Sequence, residues 1–469
     1  MIGVLSVCSH RGPLTYASDQ DGTSSRSAGG GLVAVLGPLL ENMIGRWTAA
    51  PMSAADRVRA QGPQSGLVHF VDIPADLHRP FYDTACVTGL GFLFHSLFDT
   101  AYTPLFDSKF MAAWDAYIEV NRRYASSVTH DGLSGPVLVE DYHLMALADQ
   151  IRSIDPSFRR TIAYFHHVPW CPPAVFHLLP QKLRHQVLAW LLAFDTIGFH
   201  ARAWADEFVA CCDAFLPGVQ CDRAQISWRD REVRLQVAPA QIAARSLRSA
   251  CSAESVLALR TCIERWADGR PLLIRVDRVD LWKNIIRGFI AFEEYVRSDR
   301  VKGHDLRFVA VLATSRAHLP QYRRYLDACQ TEAERINQAL SGGSQGPIRL
   351  VVDTDRDSVL AYLSAATAVL ANSTSDGLNI VPKESVVAGE GRPRLILSQN
   401  MGVYEEIGQW AIGVNPYDIT QTAEAIGLSL HSSPPSGFTE LRAAVEQNDP
   451  QRWIRNRLGH ATPMTPRNY

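Results

Sequence analysis

The sequence predicts an α/β protein built from two doubly wound parallel sheets. Short apolar runs rich in β-branched residues alternate along the chain with longer stretches of helical periodicity. The apolar runs are continuous rather than alternating, which is typical of strands that helices cover on both faces. With 469 residues, 46% of them hydrophobic, the chain is long enough for two such domains with separate cores.

The individual elements follow from these two patterns. The predicted strands are residues 2–8, 67–72, 136–140, 161–165, 196–199, 232–237, 272–276, 307–312, 348–352, 368–371 and 394–398. The predicted helices are residues 109–126, 182–193, 201–212, 254–268 and 320–340. Residues 18–31 are polar and rich in serine and glycine, so we expect a flexible loop there.

The domain division is expected near residues 237–242, where one strand–helix series ends and another begins. We therefore predict an N-terminal domain over 1–238 and a C-terminal domain over 239–450. A C-terminal helix and an irregular tail would follow over 451–469.

Composition excludes several classes of protein. The 46 Lys and Arg nearly balance the 48 Asp and Glu, so the net charge is -2 at pH 7 and no global field attracts nucleic acid. No apolar run approaches the ~18 residues of a membrane span. The apolar N-terminus has no preceding basic residue, as a signal peptide would. The nine cysteines include no C-x-x-C pair, which favours reduced thiols. We expect a soluble cytoplasmic protein.

Polar segments follow several predicted strands of the first half. In open α/β sheets, ligands bind at the carboxyl ends of the strands. Asp141 follows one strand, where its carboxylate could bind sugar hydroxyls or cap the next helix. His166 and His167 follow another, and adjacent strand residues point to opposite faces, so they should not chelate one metal together. Glycines 29–31 could bring backbone N–H groups to an anion, or form a plain mobile loop.

The second half carries two further segments of this kind. Arg278 and Lys283 lie just beyond a strand, and two cations there suit a diphosphate leaving group, although a solvated turn is the alternative. Asp376-Gly377 predicts a tight turn, and Pro382 fits the start of the helix that follows. Glu384 in that first turn could bind ribose hydroxyls or complement the helix dipole. Asp353-Thr354-Asp355 has the form of a metal-binding D-x-D, but turn and cap chemistry is favoured.

Taken in order, these motifs resemble those of the trehalose-6-phosphate synthase family of retaining glycosyltransferases, over residues 4–458. The resemblance is most specific in the basic loop and in the Asp-Gly segment with its Lys-Glu pair. The matching positions are Arg11, Gly30-Gly31-Leu32, Asp141-Tyr142-His143-Leu144, His167-Val168-Pro169, Arg278 with Lys283, Thr314-Ser315-Arg316, Asp376-Gly377-Leu378-Asn379 with Lys383-Glu384, and Val414-Asn415-Pro416-Tyr417-Asp418. The resemblance implies the GT-B fold, with two facing Rossmann-like domains and a ligand cleft between them.

The resemblance also implies roles for the matched positions. The implied donor-binding residues are Gly30, Gly31, Arg278, Lys283, Asp376, Gly377, Leu378, Asn379 and Glu384. The implied acceptor-binding residues are Arg11, Tyr82, Asp141 and Arg316. The implied catalytic residues are Asp141, His167, Arg278, Lys283 and Asp376. The partners would be a nucleotide diphosphate sugar and a phosphorylated sugar or cyclitol, and the option of a homo-oligomer stays open. No nucleic acid, membrane, metal or cofactor is expected.

The chain departs from the family pattern at several places. Glu140 stands where the family motif begins with histidine, and Leu281-Trp282 replaces Tyr-Ser in the basic loop. The hinge reads Ala238-Pro239-Ala240-Gln241 rather than Pro-Ile-Gly-Ile, and no tryptophan lies between Trp47 and Trp114. Donor positions are thus retained, whereas acceptor and linker positions differ.

Three alternatives to sugar transfer remain open at this point. A pseudo-glycosyltransferase would couple a nucleotide-linked cyclitol to an amino-cyclitol phosphate, which the altered acceptor side favours. A ligand-sensing homologue without catalytic activity is disfavoured by the intact charged motifs. A dinucleotide-dependent oxidoreductase is disfavoured because no G-x-G-x-x-G follows the first strand.

Overall fold

The computed structural model describes residues 2–19, 22–27, 36, 43–64, 66–298, 306–340, 346–431, 437–447 and 449–461. The chain forms two compact units, one of residues 1–240 with 450–469 and one of residues 241–449. The last helix therefore belongs to the unit that begins the chain. Gly30 and Gly31 lie outside the described residues.

The first unit is built on a largely parallel sheet. Its strands are β1 (Ile2–Arg11), β2 (Leu14–Asp19), β3 (Gly22–Ser27), β4 (Met43–Ala50), β5 (Val68–Phe70), β6 (Val137–Glu140), β7 (Ile162–His166), β8 (Thr196–Phe199), β9 (Gln220–Cys221), β10 (Gln225–Trp228) and β11 (Arg231–Val237). The sheet order is β5-β4-β1-β6-β7-β8-β11-β10-β9, and β2 pairs with β3 in a separate hairpin. Strands β6, β7 and β8 are buried along their whole length, as continuous apolar runs predict.

Helices pack against both faces of this sheet. They are α1 (Ala54–Ala60), α2 (Ala75–Arg79), α3 (Phe92–Phe94), α4 (Ser108–Thr129), α5 (Leu147–Ile154), α6 (Pro173–Phe176), α7 (Gln181–Leu191), α8 (Arg202–Phe215) and the C-terminal α18 (Pro450–Ala461). A π-helix spans Pro80–Gly91, and a 3₁₀ turn spans Tyr142–Leu144. Apolar side chains from α4, α7 and α8 form one core with the strands, which includes the buried aromatic rings of Trp114 and Trp190.

The second unit has a parallel sheet in the strand order of a Rossmann fold. Its strands are β12 (Leu272–Arg278), β13 (Arg307–Ala313), β14 (Ile348–Val352), β15 (Ala368–Ala371), β16 (Arg394–Ser398) and β17 (Ile412–Val414), in the order β14-β13-β12-β15-β16-β17. Its helices are α9 (Ala244–Cys251), α10 (Glu254–Ala267), α11 (Ile285–Arg297), α12 (Pro320–Leu340), α13 (Arg356–Ala365), α14 (Val381–Ala388), α15 (Gly402–Ile407), α16 (Ile419–His431) and α17 (Phe438–Glu446). Short 3₁₀ turns span Leu281–Lys283 and Gly408–Trp410.

The predicted α/β class is confirmed, and each predicted strand and helix has a counterpart in the structure. The loop predicted over residues 18–31 is wrong for Gly22–Ser27, which pairs with Leu14–Asp19. Backbone pairing rather than an apolar face stabilises that polar strand. Strand β4 was not predicted, because Gly45 and Arg46 interrupt its apolar pattern. None of the described helices is long and apolar enough to cross a membrane.

Candidate functional site

In each unit, several of the predicted site residues that the structure describes follow strands beside the point where the strand order reverses direction. In the first unit, β1 lies between β4 and β6, so the carboxyl end of β1 adjoins the carboxyl end of β6, which is Glu140. In the second unit, β12 lies between β13 and β15 and ends at Arg278. Helices leave the sheet to opposite faces on the two sides of such a strand, which opens a crevice above its carboxyl end. The fold thus explains why the charged motifs follow these strands.

In the second unit, the basic loop is fastened to the neighbouring strand end. It leaves β12 through the 3₁₀ turn and enters α11 at Asn284, which has a left-handed φ of 59°. The Asn284 side chain donates to the carbonyl oxygens of Asn372 at 2.8 Å and Pro416 at 2.7 Å. The backbone N–H of Thr374 donates to the Trp282 carbonyl at 2.8 Å. These bonds hold the loop beside the segment that carries Asp376.

Lys283 is buried between two carboxylates. Its Nζ donates to Asp376 Oδ2 at 2.7 Å and lies 3.5 Å from Asp277 Oδ1. Burial alone would lower the pKa of Lys283, but Asp376 and Asp277 outweigh it and raise that pKa. Asp277 is fixed in turn by the fully buried Arg275, whose Nη2 donates to Asp277 at 2.7 Å and to the Lys283 carbonyl at 2.8 Å. Lys283 is therefore charged and held in one position.

Arg278 and Arg316 share one buried carboxylate. Arg278 Nη2 lies 2.8 Å from Asp280 Oδ2, and Arg316 Nη1 donates to Asp280 Oδ1 at 2.7 Å. Burial would raise the pKa of Asp280, but the two arginines outweigh it and lower that pKa. The Arg278 side chain remains 53% exposed, so it can reach a ligand while Asp280 orients it. Sequence reasoning missed Asp280, although it lies within the basic loop motif.

The Asp-Gly segment is anchored tightly on the carboxyl side of β15. The Asp376 N–H donates to the Asn400 carbonyl at 3.1 Å, and the Gly402 N–H donates to the Asp376 carbonyl at 3.0 Å. A Cβ at Gly402 would lie 2.0 Å from the Gly377 carbonyl oxygen, so only glycine permits this approach. Leu378 and Asn379 are buried, and Asn379 has a left-handed φ of 66°. The segment holds the Asp376 carboxylate against Lys283.

Helix α14 places a buried Lys-Glu pair beside this segment. Pro382 lies in the first turn of α14, as predicted. Lys383 is fully buried and its Nζ lies 2.5 Å from Glu406 Oε2, and burial lowers the pKa of this lysine despite that carboxylate. Glu384 accepts from Arg356 Nη2 at 2.6 Å, and that arginine is half exposed. Glu384 is therefore held by a neighbouring helix and does not belong to the network around Lys283.

In the first unit, Asp141 has a strained backbone at the carboxyl end of β6. Its φ is 76°, in a region that costs a non-glycine residue about 1–3 kcal/mol. Its side chain makes no capping hydrogen bond to the turn that follows. Asp141 Oδ1 accepts instead from the backbone N–H of His167 at 3.2 Å. Burial raises the pKa of Asp141. Asp141 thus lies at the N-cap position of the turn without the side-chain hydrogen bond of an ordinary helix cap.

His167 and its neighbour His166 have different environments. His166 is fully buried, and burial lowers its pKa to about 3, so it is a neutral core residue. His167 Nε2 lies 2.7 Å from Glu140 Oε2, and Nδ1 lies 3.0 Å from His200 Nε2. Sequence reasoning noted Glu140 only as a departure from a motif. It missed His200, which carries no sequence signal beyond its place after β8.

The remaining acceptor-side positions lie near the end of β1. The Tyr82 ring stacks on His10 with 4.5 Å between centroids, and His10 stacks on His143 at 4.8 Å. This stack joins the π-helix to β1 and to the Asp141 motif. Arg11 ends β1 and is exposed. The structure thus brings Tyr82 close to the segment that carries Asp141.

The Asp353-Thr354-Asp355 segment serves turn and cap chemistry, as predicted. Asp353 accepts from the backbone N–H of Thr314 at 2.6 Å, and Asp355 caps α13 by accepting from the Ser358 N–H at 2.7 Å. Among the residues that the structure describes, no group of three His, Cys, Asp or Glu side chains could hold a metal ion.

Several known proteins resemble this chain in sequence and in fold. Residues 4–462 match the family model of glycosyltransferase family 20. The trehalose-6-phosphate synthase of Mycobacterium sp. strain KMS is 30% identical, over 96% of this chain and 93% of that protein. An E. coli trehalose-6-phosphate structure bound with UDP-2-fluoro glucose superposes with a TM-score of 0.85, at 22% identity over 99% of this chain and 100% of that one. A Burkholderia xenovorans α,α-trehalose-phosphate synthase in complex with glucose-6-phosphate gives a TM-score of 0.84, at 21% identity over 98% and 100%.

The buried Asp280 yields a prediction about stability. Asp280→Asn should lower the free energy of unfolding by about 2–4 kcal/mol at neutral pH, because it leaves two arginines without their carboxylate. Since the folded pKa lies below the ordinary value of 3.8, this contribution is present above pH 3.8 and is lost as the pH falls through the folded pKa. Chemical denaturation of both proteins between neutral pH and the acid range measures the difference.

Asp268→Asn is the matched control, because Asp268 pairs with Arg270 at 3.2 Å but is 79% exposed. It should change the free energy of unfolding by less than about 0.5 kcal/mol at any pH. An Asp280→Asn protein as stable as the parent at neutral pH would contradict the assignment.

Proposed function

The chain belongs to glycosyltransferase family 20, and we propose that it transfers a hexose from a nucleotide diphosphate sugar to a phosphorylated sugar acceptor with retention of anomeric configuration. The observation that carries this proposal is the cationic cluster of the second unit. The Arg278 side chain is half exposed to solvent, and Lys283 is held charged beside Asp376. Such fixed cations stabilise a departing diphosphate without reorganisation at the moment of reaction.

We assign the donor to the second unit. Arg278 and Lys283 would contact the diphosphate oxygens, and Asp376 and His167 would position the transferred sugar near its reacting carbon. Glu384, which Arg356 orients, would accept from the ribose hydroxyls. Gly377, Leu378 and Asn379 would contribute backbone contacts, because the segment that contains them is anchored on both sides.

The acceptor is assigned chiefly to the first unit. Asp141 would accept from acceptor hydroxyls, and Arg11 and Tyr82 would contact its phosphate. Arg316 would add a second guanidinium for the phosphate, oriented by Asp280. We also propose Gly30 and Gly31 as donor-binding residues.

The reaction requires one bond to break and one to form at the same face of the sugar. The bond between the anomeric carbon and the diphosphate oxygen breaks, and its electron pair leaves with the nucleoside diphosphate. Arg278 and Lys283 stabilise the charge that develops there. The acceptor oxygen bonds to the anomeric carbon, and its proton passes to the departing phosphate oxygen. The side chains supply the neutralising charge, so we propose that no metal ion takes part.

A panel of donors and acceptors tests the proposal. Nucleoside diphosphate release should require a nucleotide hexose and a phosphorylated sugar together, should persist in EDTA, and should give a product with the donor's anomeric configuration. Release with a nucleotide-linked cyclitol and an amino-cyclitol phosphate, and not with sugars, would instead identify the pseudo-glycosyltransferase. Donor binding without release for any acceptor would identify a sensor.

Arg278→Ala should lower kcat by about a hundredfold, the usual effect of removing one charge-stabilising donor from a transition state. Its melting temperature should change little, because the side chain is half exposed and Asp280 keeps Arg316. Lys283→Ala should lower both kcat and the melting temperature, since Asp277 and Asp376 lose their shared cation. Steady-state kinetics and thermal melts measure both.

Arg297→Ala is the control for these two variants, because Arg297 is also half exposed and forms an ion pair with Glu293 on the same unit. It should leave kcat unchanged. Full activity of Arg278→Ala would rule out the assigned leaving-group role.

Arg316→Ala should raise KM for a phosphorylated acceptor at least about tenfold, the loss of one charge-assisted hydrogen bond. KM for the donor should change much less, because Arg278 keeps its contact with Asp280. Kinetics with the phosphorylated and the unphosphorylated acceptor separate the two effects. An unchanged acceptor KM would remove Arg316 from the acceptor site.

A further inference from the structure

Glu140 is a fully buried carboxylate that the proposed function does not use. It ends β6, directly before Asp141, and its side chain has no exposure to solvent. Each of its oxygens has a different partner. Oε2 accepts from His167 Nε2 at 2.7 Å, and Oε1 accepts from Arg457 Nη1 at 3.0 Å. A buried charge with two directional partners fixes both of them in space.

Arg457 reaches Glu140 from the last helix of the chain. The guanidinium is 2% exposed and lies over the Phe165 ring at 4.4 Å and the Trp453 ring at 4.7 Å. Trp453 also lies on α18, and its indole N–H donates to the Ala238 carbonyl at 2.8 Å. Burial would raise the pKa of Glu140, but Arg457 and His167 outweigh it and lower that pKa. Glu140 is therefore ionised.

Hydrogen bonds connect Ala240, His200, His167 and Glu140 in series, and the donor and acceptor of each bond follow from the backbone N–H of Ala240. The Ala240 N–H can only donate, and it lies 3.2 Å from His200 Nδ1. His200 Nδ1 thus carries a lone pair, and the proton of the neutral ring is on Nε2. That proton points to His167 Nδ1, 3.0 Å away, which must accept it. The proton of His167 is then on Nε2 and is donated to Glu140.

We propose that Glu140 is a positioning residue that holds His167 in the Nε2-protonated tautomer and in one orientation. Both ring nitrogens of His167 are engaged, so the ring cannot rotate or change tautomer without breaking a bond to His200 or to Glu140. The backbone N–H of His167 donates to Asp141 Oδ1 at 3.2 Å, so the same residue also contacts the Asp141 carboxylate. The effect on catalysis rests on the proposed function, whereas the effect on the tautomer does not.

A purely structural role for the ion pair makes a different prediction. If Glu140 and Arg457 served only as an ion pair between α18 and the rest of the first unit, Glu140→Gln would leave a buried guanidinium without its carboxylate, and Arg457→Met would relieve that cost. Stability would then recover in the double variant, but the tautomer of His167 would be the same in all three proteins. If Glu140 serves His167, the outcome depends on which group its replacement can accept from. A glutamine at position 140 has one acceptor oxygen for two donors, Arg457 and His167. When Arg457 takes that oxygen, the amide N–H groups face His167 Nε2 and oppose its protonation.

The experiment compares Glu140→Gln with the double variant Glu140→Gln/Arg457→Met. Nitrogen NMR of histidine-labelled protein reports which ring nitrogen carries the proton, and His167→Asn identifies the His167 signals. The parent should show one Nε2-protonated form for His167. Glu140→Gln should lose it and lower kcat at least about tenfold, as removal of a ligand-orienting partner usually does. In the double variant, the amide oxygen is free to accept from His167, so the Nε2-protonated form should return and kcat should exceed that of Glu140→Gln.

Asp131→Asn is the matched control. The Asp131 side chain is 2% exposed, and Arg160 Nη1 lies 2.7 Å from its Oδ1. Asp131 precedes the start of β6, whereas Glu140 ends that strand. This variant should lose stability while the His167 signals and kcat stay those of the parent.

If Glu140→Gln fails to fold, the double variant and the parent still test the tautomer. The proposal is overturned if Glu140→Gln keeps the parent's ring signals and kcat, or if the double variant shows neither the Nε2-protonated form nor a gain over Glu140→Gln. Absence of glycosyl transfer in the parent would overturn the proposed function alone, since the NMR result stands independently.

Discussion

A charge buried at the end of a strand must be paired, and this constraint organises the candidate site in both units. In the second unit, Asp280 holds two arginines, and Asp277 and Asp376 hold Lys283 between them. In the first unit, Glu140 holds His167 and Arg457. A buried carboxylate without these partners would cost several kcal/mol, on the order of 3–5, so the polar side chains are fixed before any ligand arrives. Fixed dipoles and charges are what transition-state stabilisation requires.

The charge balance of the second unit explains how the site can take an anion. The network contains the cations Arg275, Arg278, Lys283 and Arg316 and the carboxylates Asp277, Asp280 and Asp376. Its net charge is therefore +1, carried at its exposed edge by Arg278. The proposed diphosphate would add the negative charge that this network lacks, and Lys283 already lies beside Asp376, the carboxylate proposed to position the sugar.

In the first unit, the adjacent residues Glu140 and Asp141 have carboxyl groups in different environments. Glu140 has cationic and N–H partners and a lowered pKa, whereas burial raises the pKa of Asp141. Such divergence between neighbouring acids is a mark of functional sites. The backbone N–H of His167 donates to Asp141, and the His167 ring donates to Glu140, so one residue connects the two environments. For this reason we regard Glu140 as a positioning residue of the candidate site, although it departs from the family motif.

The sequence by itself determined the α/β class, the main strands and the charged motifs that follow them, because continuous apolar runs and local turn chemistry depend on near neighbours. It predicted Arg278 and Lys283 in a segment that follows a strand, and it predicted the turn and cap roles of Asp353 and Asp355. It failed where pairing supplies the stability, as in the polar strand Gly22–Ser27. Only the tertiary structure decided that Asp280 serves two arginines and that Arg457 reaches Glu140 across 317 positions of the chain. Contacts of that kind depend on where the fold returns a distant helix, and no local pattern of residues encodes that distance.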